Sequence, residues 1–213
     1  MPRRVRTTPR KRPRQARSKA TVDAILEATA QVLVAEGYDK TSTNRVAERA
    51  GVSVGSVYQY FPNKEALVGE LVDRYSRDIM DLVFGRLTAL ADEPPEVVAP
   101  ALVEAMIDFK TQDPRLARVL RDQIPRVGRM QRYEQQLAQT VDATRAYLER
   151  WRERLIHDDL DTVAFLAVHT VDAATHAGIV ARPPLPRDAL IAHVTDLVLS
   201  YLVGRPHEGT HGE

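Results

Sequence analysis

The chain of 213 residues contains no cysteine. That absence excludes a disulfide framework, a thiol nucleophile, a Cys-ligated zinc site and an iron–sulfur cluster. Long apolar runs are also missing, since no stretch approaches the roughly 18 consecutive apolar residues that a membrane span needs. The basic N-terminus lacks the apolar segment of a signal peptide. We therefore expect a cytoplasmic protein that makes no membrane contact.

Charge is unevenly distributed, although the formal net charge is only +1. Residues 1–19 carry nine basic side chains and no acidic one. Residues 20–213 carry 21 basic and 29 acidic side chains, a net charge of −8. Residues 1–16 show no apolar periodicity, which predicts a disordered basic arm. A positive arm on an acidic body is typical of proteins that bind nucleic acid or another anionic surface.

Apolar residues spaced three and four apart predict an all-α fold of about nine helices, with no strand. The first helix is predicted to begin at Ser18 and to end before Gly37. Further helices are predicted at 44–50, 54–61, 64–90, 96–111, 114–124, 128–156, 158–181 and 187–203. Their predicted N-caps include Thr43, Ser53, Asn63 and Asp113. Pro100 is unfavourable inside a helix and favours a later start of the fifth helix, near Ala99.

The stretch 43–61 carries the most specific pattern in the chain. Two short helices are predicted to meet at residues 50–52, where Gly51 supplies the positive φ that a tight interhelical turn requires. The second helix, 54–61, would be about 12 Å long, comparable with the width of the DNA major groove. This pattern predicts a helix-turn-helix whose second helix enters that groove.

The predicted exposed face of this second helix combines a glutamine, hydroxyl groups and apolar edges. Glutamine can read adenine with two hydrogen bonds, hydroxyl groups can reach phosphate, and apolar edges can contact thymine methyl groups. The residues of this face are Val54, Gly55, Ser56, Tyr58, Gln59 and Tyr60. Phe61 is expected in the core and Tyr58 at DNA, while Tyr60 fits either place.

The run A-G-V-S-V-G-S-V-Y-Q-Y-F-P-N-K-E-A-L at residues 50–67 resembles the DNA-binding domain of the tetracycline-repressor (TetR) family. The resemblance covers residues 17–67, and beyond them it depends only on length and helix count. It implies base or backbone contacts by Thr43 and Arg45 at the start of the helix 44–50, close approach at Gly55, and a phosphate contact by Lys64. The full set of DNA-contact candidates is Arg17, Thr43, Arg45, Val54, Gly55, Ser56, Tyr58, Gln59, Tyr60 and Lys64.

The predicted helices 158–181 and 187–203 are too apolar to lie exposed, so each requires a partner surface. The resemblance implies that they pair with their symmetry mates in a homodimer. A two-fold dimer would place two recognition helices on the halves of a palindromic operator in double-stranded DNA.

The resemblance also implies a pocket for a small-molecule effector among helices 96–156. Aromatic and methionine side chains favour an apolar or aromatic effector, although each also suits an ordinary core. An anionic effector at Arg118 and Arg121 is the alternative. The candidate pocket residues are Met80, Phe84, Leu102, Met106, Phe109, Leu120, Tyr133, Leu137, Tyr147, Trp151 and Phe165.

His169, Asp172 and His176 share one helix face at spacings of three and four residues. That spacing suits a metal site, but polar residues hydrogen-bonded across a dimer interface explain it better. We expect no metal and no cofactor.

The sequence therefore predicts a DNA-binding transcriptional regulator, a homodimeric repressor released by an effector. The predicted domains are the basic arm 1–16, the DNA-binding domain 17–63, an effector-binding and dimerisation domain 64–204, and a flexible tail 205–213. An architectural or activating DNA-binding protein without an effector is the alternative. A helical enzyme is more remote, because GxSxG, HExxH, P-loop and GxGxxG motifs are absent.

Overall fold

The computed structural model describes residues 16–204 and Thr8. Residues 16–204 form nine α-helices and one short 3-10 helix, with no strand, which confirms the predicted all-α fold. The predicted disordered arm and flexible tail lie outside the described residues, apart from Thr8 and Ala16. The helices are α1 Ala16–Glu36, α2 Thr43–Ala50, α3 Val54–Tyr60, α4 Lys64–Ala89, α5 Pro95–Thr111, α6 Pro114–Gln123, α7 Met130–Glu149, the 3-10 turn Arg152–Arg154, α8 Leu160–Val180 and α9 Arg187–Leu202.

Three of the predicted N-caps are confirmed by their hydrogen bonds. The side chains of Ser53, Asn63 and Asp113 accept from backbone N–H groups three residues ahead, at 3.0, 2.8 and 2.9 Å. The predicted cap of α2 is wrong: Ser42 has extended backbone angles and accepts from the Arg45 N–H at 3.3 Å. Thr43 is therefore the first helical residue rather than the cap.

Two predicted helix boundaries are also wrong. Helix α5 begins at Pro95, so Pro100 lies inside it. A proline at the first helical position costs nothing, and a second one removes a single intrahelical hydrogen bond. The predicted helix 128–156 ends at Glu149, where the backbone tightens: the Trp151 N–H donates to the carbonyl of Leu148, only three residues back, at 2.9 Å.

The first compact unit, here the N-terminal unit, comprises Met1–Asp78 and Asp113–Gln135. Its core joins helices α1 to α4 with α6, which packs against α1. The predicted domain boundaries place 113–135 with the effector domain, whereas packing groups this segment with the helix-turn-helix. The largest fully buried side chains of this core are Ile25, Val32, Leu33, Val46, Val57, Phe61, Leu67, Val68 and Leu120.

The second compact unit, here the C-terminal unit, comprises Ile79–Gln112 and Gln136–Glu213. Helix α5 packs against both α8 and α9. A Cβ atom added at Gly178 would lie 2.7 Å from Leu190 Cδ1, so glycine is what lets α8 approach α9 at this point. The core of this unit is therefore formed by α5, α8 and α9 together with the C-terminal parts of α4 and α7.

Helix α8 has more apolar surface than its own unit covers. Within the described part of the chain it alone is long and apolar enough to cross a membrane, by length and composition, with a mean hydropathy of 1.4. Only 33% of that apolar window is buried. Its apolar character does not form one uninterrupted run in the sequence, because polar residues such as Asp161 and Asp172 lie within the helix. The remaining apolar surface of α8 requires a partner.

Candidate nucleic-acid interface

The turn between α2 and α3 fixes the angle between the two helices. Gly51 has φ 66° and ψ 29°, the left-handed conformation predicted for it. Its N–H donates to the Glu48 carbonyl at 3.2 Å, and the Val52 N–H donates to the Ala47 carbonyl at 3.1 Å. A Cβ added at Gly51 would meet nothing within 4 Å, so the requirement for glycine comes from the backbone rather than from crowding.

One face of helix α3 is accessible to solvent and carries both polar and apolar side chains. Val54, Gly55, Tyr58 and Gln59 are exposed, and Ser56 is half-buried. The hydroxyl groups of Ser53 and Ser56 lie 2.8 Å apart, which orients both at the amino end of the helix. Five of the six residues predicted for the exposed face of this helix are thus accessible to solvent at least in part.

Tyr60 does not belong to that face. It is only 7% exposed and lies in the core of the N-terminal unit with Val57 and Phe61. The prediction that Tyr60 lies on the exposed face is therefore wrong. Residues 57, 60 and 61 are three and four apart, so they occupy the same side of a helix, and this spacing already indicated burial.

Tyr58 is oriented by the first residue of α2. The Thr43 hydroxyl donates to the Tyr58 Oη at 3.1 Å. Thr43 itself is 8% exposed, so in this structure its side chain supports Tyr58 instead of facing solvent. Arg45 is 54% exposed and forms an ion pair with Glu36 at the end of α1. These contacts join the start of α2 to the second half of α3 and to the end of α1.

Lys64 lies at the start of α4 and reaches back to the loop that follows α1. Its Nζ donates to the carbonyls of Tyr38 and Asp39 at 3.2 and 3.4 Å. The same Nζ lies 4.6 Å from the centroid of the Tyr38 ring. An ammonium placed in this way is held close to the helix-turn-helix. The side chain of Arg17, the remaining candidate, lies outside the described residues.

A buried ionic cluster within the N-terminal unit escaped sequence reasoning. Asp73 of α4 is 2% exposed and accepts from Arg129 Nε at 3.0 Å and from Arg132 Nη1 at 2.9 Å. Burial raises the pKa of Asp73, and the two guanidinium groups oppose that rise. The partners lie more than 50 residues apart in sequence, so no local pattern could predict them. The cluster ties α4 to the start of α7.

Four of the predicted pocket residues meet in one apolar cluster of the C-terminal unit: Leu102, Met106, Tyr147 and Trp151. The Tyr147 hydroxyl donates to the Glu93 carbonyl at 2.8 Å, and burial raises the pKa of this tyrosine. The Trp151 Nε1 is buried and has no hydrogen-bond partner among the described atoms. This cluster is apolar and carries one unused donor.

Other predicted pocket residues lie elsewhere. Leu120 and Tyr133 belong to the core of the N-terminal unit, and Phe165 is 50% exposed on α8, so their predicted place with the others is wrong. The Phe165 ring stacks on His169 with a centroid separation of 3.9 Å. Arg118 and Arg121 also lie in the N-terminal unit. The four remaining candidates are partly buried: Met80, Phe84, Phe109 and Leu137.

Asp172 is engaged by a buried lysine of α5. Lys110 of α5 is 2% exposed, and its Nζ donates to Asp172 Oδ1 at 3.0 Å and to Thr175 Oγ1 at 2.9 Å. His169 Nδ1 instead lies 2.8 Å from the Phe165 carbonyl. The described residues contain no group of three side chains that could hold a metal ion. A signal for Lys110 existed, because it continues the apolar helix stripe 103–106–107.

Large apolar side chains remain exposed on the two helices predicted to form a dimer interface. Phe165 and Leu166 of α8 are 50% and 41% exposed, and Leu197 of α9 is 56% exposed. The two helices pack against each other within the unit, so their uncovered apolar residues belong to neighbouring surfaces.

Two family models match the chain. The model described as bacterial regulatory proteins, tetR family, matches residues 25–71. The model described as tetracyclin repressor-like, C-terminal domain, matches residues 94–202. The second match alone covers more than half of the chain.

The chain is also similar to individual proteins. It is 29% identical over 120 residues to the DNA-binding transcriptional repressor TetR of Mycobacteroides abscessus, over 50% of this chain and 63% of that protein. The chain spans less than two-thirds of the length of the curated relatives it matches.

Solved structures show the same fold. The fatty acid degradation regulator FadR from Bacillus halodurans has a TM-score of 0.69 at 20% identity, covering 88% of this chain and 97% of that one. A SmeT–triclosan complex has a TM-score of 0.66 at 22% identity, covering 91% and 98%. At such identities these matches establish the fold alone.

Proposed function

The chain belongs to the TetR family of bacterial regulatory proteins, and from this premise we propose that it is a homodimeric transcriptional repressor. It binds a palindromic operator through α3, and a small-molecule effector releases it. The single observation that carries this proposal is the accessible face of α3, with Tyr58 and Gln59 exposed above a turn fixed by Gly51.

The chemistry of that face suits base reading. Gln59 carries the donor and acceptor that pair with the major-groove edge of adenine, and Val54 offers an apolar edge to a thymine methyl group. The hydrogen bond from Thr43 keeps the Tyr58 hydroxyl near the start of α2. In that position the hydroxyl can reach a phosphate oxygen at the edge of the groove. Lys64 supplies a cation for the same backbone. The basic arm 1–16, followed directly by Arg17, adds long-range attraction to DNA.

The exposed apolar residues of α8 and α9 support a homodimer. Fully burying a leucine or phenylalanine side chain stabilises a complex by about 1.5–3 kcal/mol. Phe165, Leu166 and Leu197 each leave at least 41% of their surface uncovered. In a two-fold dimer every such residue occurs twice, and two copies of α3 meet the two halves of a palindrome.

The effector site is proposed around the Tyr147–Trp151 cluster of the C-terminal unit. Its apolar lining favours an apolar or aromatic compound, and the free Trp151 N–H offers one hydrogen bond to an acceptor on that compound. A protein of the same fold has been solved as a complex with triclosan. Helix α4 begins in the N-terminal unit and ends in the C-terminal unit, so a displacement at its end is carried along about 39 Å of continuous helix.

Operator selection with the purified full-length chain tests the DNA-binding part. We expect a palindromic consensus, and Gln59→Ala should relax it at one position in each half. A wild-type chain that enriches no sequence would refute the specific-regulator proposal.

An effector screen tests the second part. Trp151 is the only tryptophan of the chain, so its fluorescence reports occupancy of the proposed cluster while operator release is followed in parallel. A compound that changes both signals supports the repressor. If operators are bound but no compound releases them, the alternative of an architectural or activating protein without an effector is favoured. The match to regulators rather than enzymes makes a catalytic role the weaker alternative.

A further inference from the structure

The segment 113–135 supplies the N-terminal unit with positive charge that its helix-turn-helix lacks. Residues 20–78 carry six basic and nine acidic side chains, a net charge of −3. Residues 113–135 carry six arginines and three acidic side chains, a net charge of +3. This segment packs within the N-terminal unit although it follows α5 in sequence. The packed unit therefore gains cations from outside the DNA-binding motif.

Three of these six arginines are engaged by neighbouring side chains of the unit. Arg129 and Arg132 bind Asp73, and Arg121 lies 5.8 Å from the Tyr133 ring centroid. Arg126, between α6 and α7, leaves 52% of its side chain exposed. Its nearest acidic atom is Asp39 Oδ1 at 3.8 Å, on a side chain that is 85% exposed. Exposed pairs of this kind are worth at most about 1 kcal/mol, so an anion from outside can displace it.

Arg126 shares an aromatic platform with Lys64. Its Cζ lies 5.1 Å from the centroid of the Tyr38 ring, and the Lys64 Nζ lies 4.6 Å from the same centroid. The ring orients the guanidinium, and the Tyr38 and Asp39 carbonyls orient the ammonium. The Tyr38 ring thus has a second cation, Arg126, beside it on the same unit as Lys64.

We propose that Arg126 is a further contact to the DNA backbone, so that the phosphate-binding surface extends from Lys64 onto the turn between α6 and α7. The inference rests on the proposed operator binding. The ligand is a phosphodiester of the same duplex, because Lys64 already lies at the helix-turn-helix and Arg126 continues its charge. A planar guanidinium can hold two phosphate oxygens at once, whereas an ammonium acts as a point charge.

The test measures how operator affinity depends on salt, using the full-length protein and its selected operator. Each lost phosphate contact lowers the slope of log K against log salt by about 0.9. Arg126→Gln, which acts in both halves of the dimer, should lower the slope by about 1.8 and weaken all sequences to the same degree. Arg115→Gln is the matched control, since Arg115 is an exposed arginine of the same segment. It should leave the slope unchanged.

Two more variants separate a DNA contact from a structural role. Arg126→Lys keeps the charge and should keep most of the slope. Asp39→Asn removes the competing carboxylate and should tighten operator binding severalfold, an effect that misfolding cannot produce. An unchanged slope in Arg126→Gln, or equal losses in the glutamine and lysine variants, would overturn the inference. If the wild-type chain selects no operator, the proposed function fails instead.

Discussion

The N-terminal unit carries 21 basic and 12 acidic residues over its sequence ranges, a net charge of +9, whereas the C-terminal unit carries nine basic and 17 acidic residues, a net of −8. Sequence order hides this division, because the arginine-rich segment 113–135 lies between two acidic stretches. Packing returns the segment to the helix-turn-helix. Packing thus offsets the net charge of −3 on residues 20–78 with the +3 of segment 113–135, and the remaining +9 of the unit equals the charge of residues 1–19.

The two units also differ in the polarity of the surfaces that they leave exposed. The N-terminal unit exposes glutamine and tyrosine on α3 while burying Tyr60 and Phe61. The C-terminal unit exposes Phe165 and Leu197 on α8 and α9. A hydrated polar face suits a wet, charged partner, and an apolar face suits a second protein surface.

Both units also bury one ionic cluster, and the chemistry of the buried cation differs. In the N-terminal unit the cation is Arg129, which cannot lose its proton. In the C-terminal unit it is Lys110, whose Nζ also donates to Thr175 Oγ1 at 2.9 Å and to the Asp172 carbonyl at 3.2 Å. The two clusters should therefore respond differently to removal of their carboxylates.

The largest expected effect is on stability. Asp73→Asn removes the carboxylate from the buried guanidinium of Arg129 and should lower the free energy of unfolding by about 3–5 kcal/mol. Asp172→Asn should cost less, because Lys110 keeps its hydrogen bonds to Thr175 Oγ1 and to the backbone carbonyl of residue 172. Chemical denaturation of both variants measures the difference. Asp161→Asn, which breaks an ion pair whose carboxylate is 81% exposed, is the control and should cost at most about 1 kcal/mol. If both variants lowered the free energy of unfolding equally, the two buried clusters would not differ in the way proposed.

These clusters also mark the limit of sequence reasoning. Local features were predictable: the Ser53 and Asn63 caps and the positive φ of Gly51 follow from their immediate neighbours. The spacing of Tyr60 to Val57 already indicates its burial, and the exposed face of α3 is narrower than the predicted one. The Asp73–Arg129 contact joins residues 56 apart and depends on how α6 folds back, which no periodicity encodes.

The apolar surface of the C-terminal unit gives the second prediction. Leu197→Asp places two carboxylates in the proposed dimer interface and should weaken dimerisation at least about 100-fold, since burial of a leucine is worth about 1.5–3 kcal/mol per copy. Sedimentation velocity measures the shift to monomer. Val97→Asp is the matched control, because Val97 is 43% exposed on α5, outside the proposed interface. A dimeric Leu197→Asp chain would place the interface elsewhere.

The polar face of the N-terminal unit gives the third. Gln59→Ala should lower operator affinity by at least about 30-fold, because a two-hydrogen-bond base contact is worth about 1–3 kcal/mol in each half of the operator. Binding to unrelated DNA should not change, since phosphate contacts remain. Gln112→Ala removes an exposed glutamine from the C-terminal unit and should have no effect on either. Fluorescence anisotropy with operator and scrambled duplexes measures both. If Gln59→Ala weakens both duplexes equally, α3 does not read bases at this position.

The smallest effect concerns helix caps, where the two units use different side chains. Asp159 caps α8 by accepting from the Thr162 N–H at 3.1 Å and from its hydroxyl at 2.6 Å, and these bonds lower the pKa of Asp159. A lowered pKa adds stability above the unfolded-state value of about 3.9 that is lost as the pH falls through the folded value.

Asp159→Asn should therefore keep the cap near neutral pH but abolish the extra loss of amide protection at the start of α8 on acidification. Ser53 caps α3 with a hydroxyl group that does not titrate, so Ser53→Ala should cost about 1 kcal/mol at every pH. Hydrogen exchange at a series of pH values measures both caps. If the asparagine variant kept the acid sensitivity of the wild type, Asp159 would not be its source, because asparagine caps a helix without carrying a charge that protonation can remove.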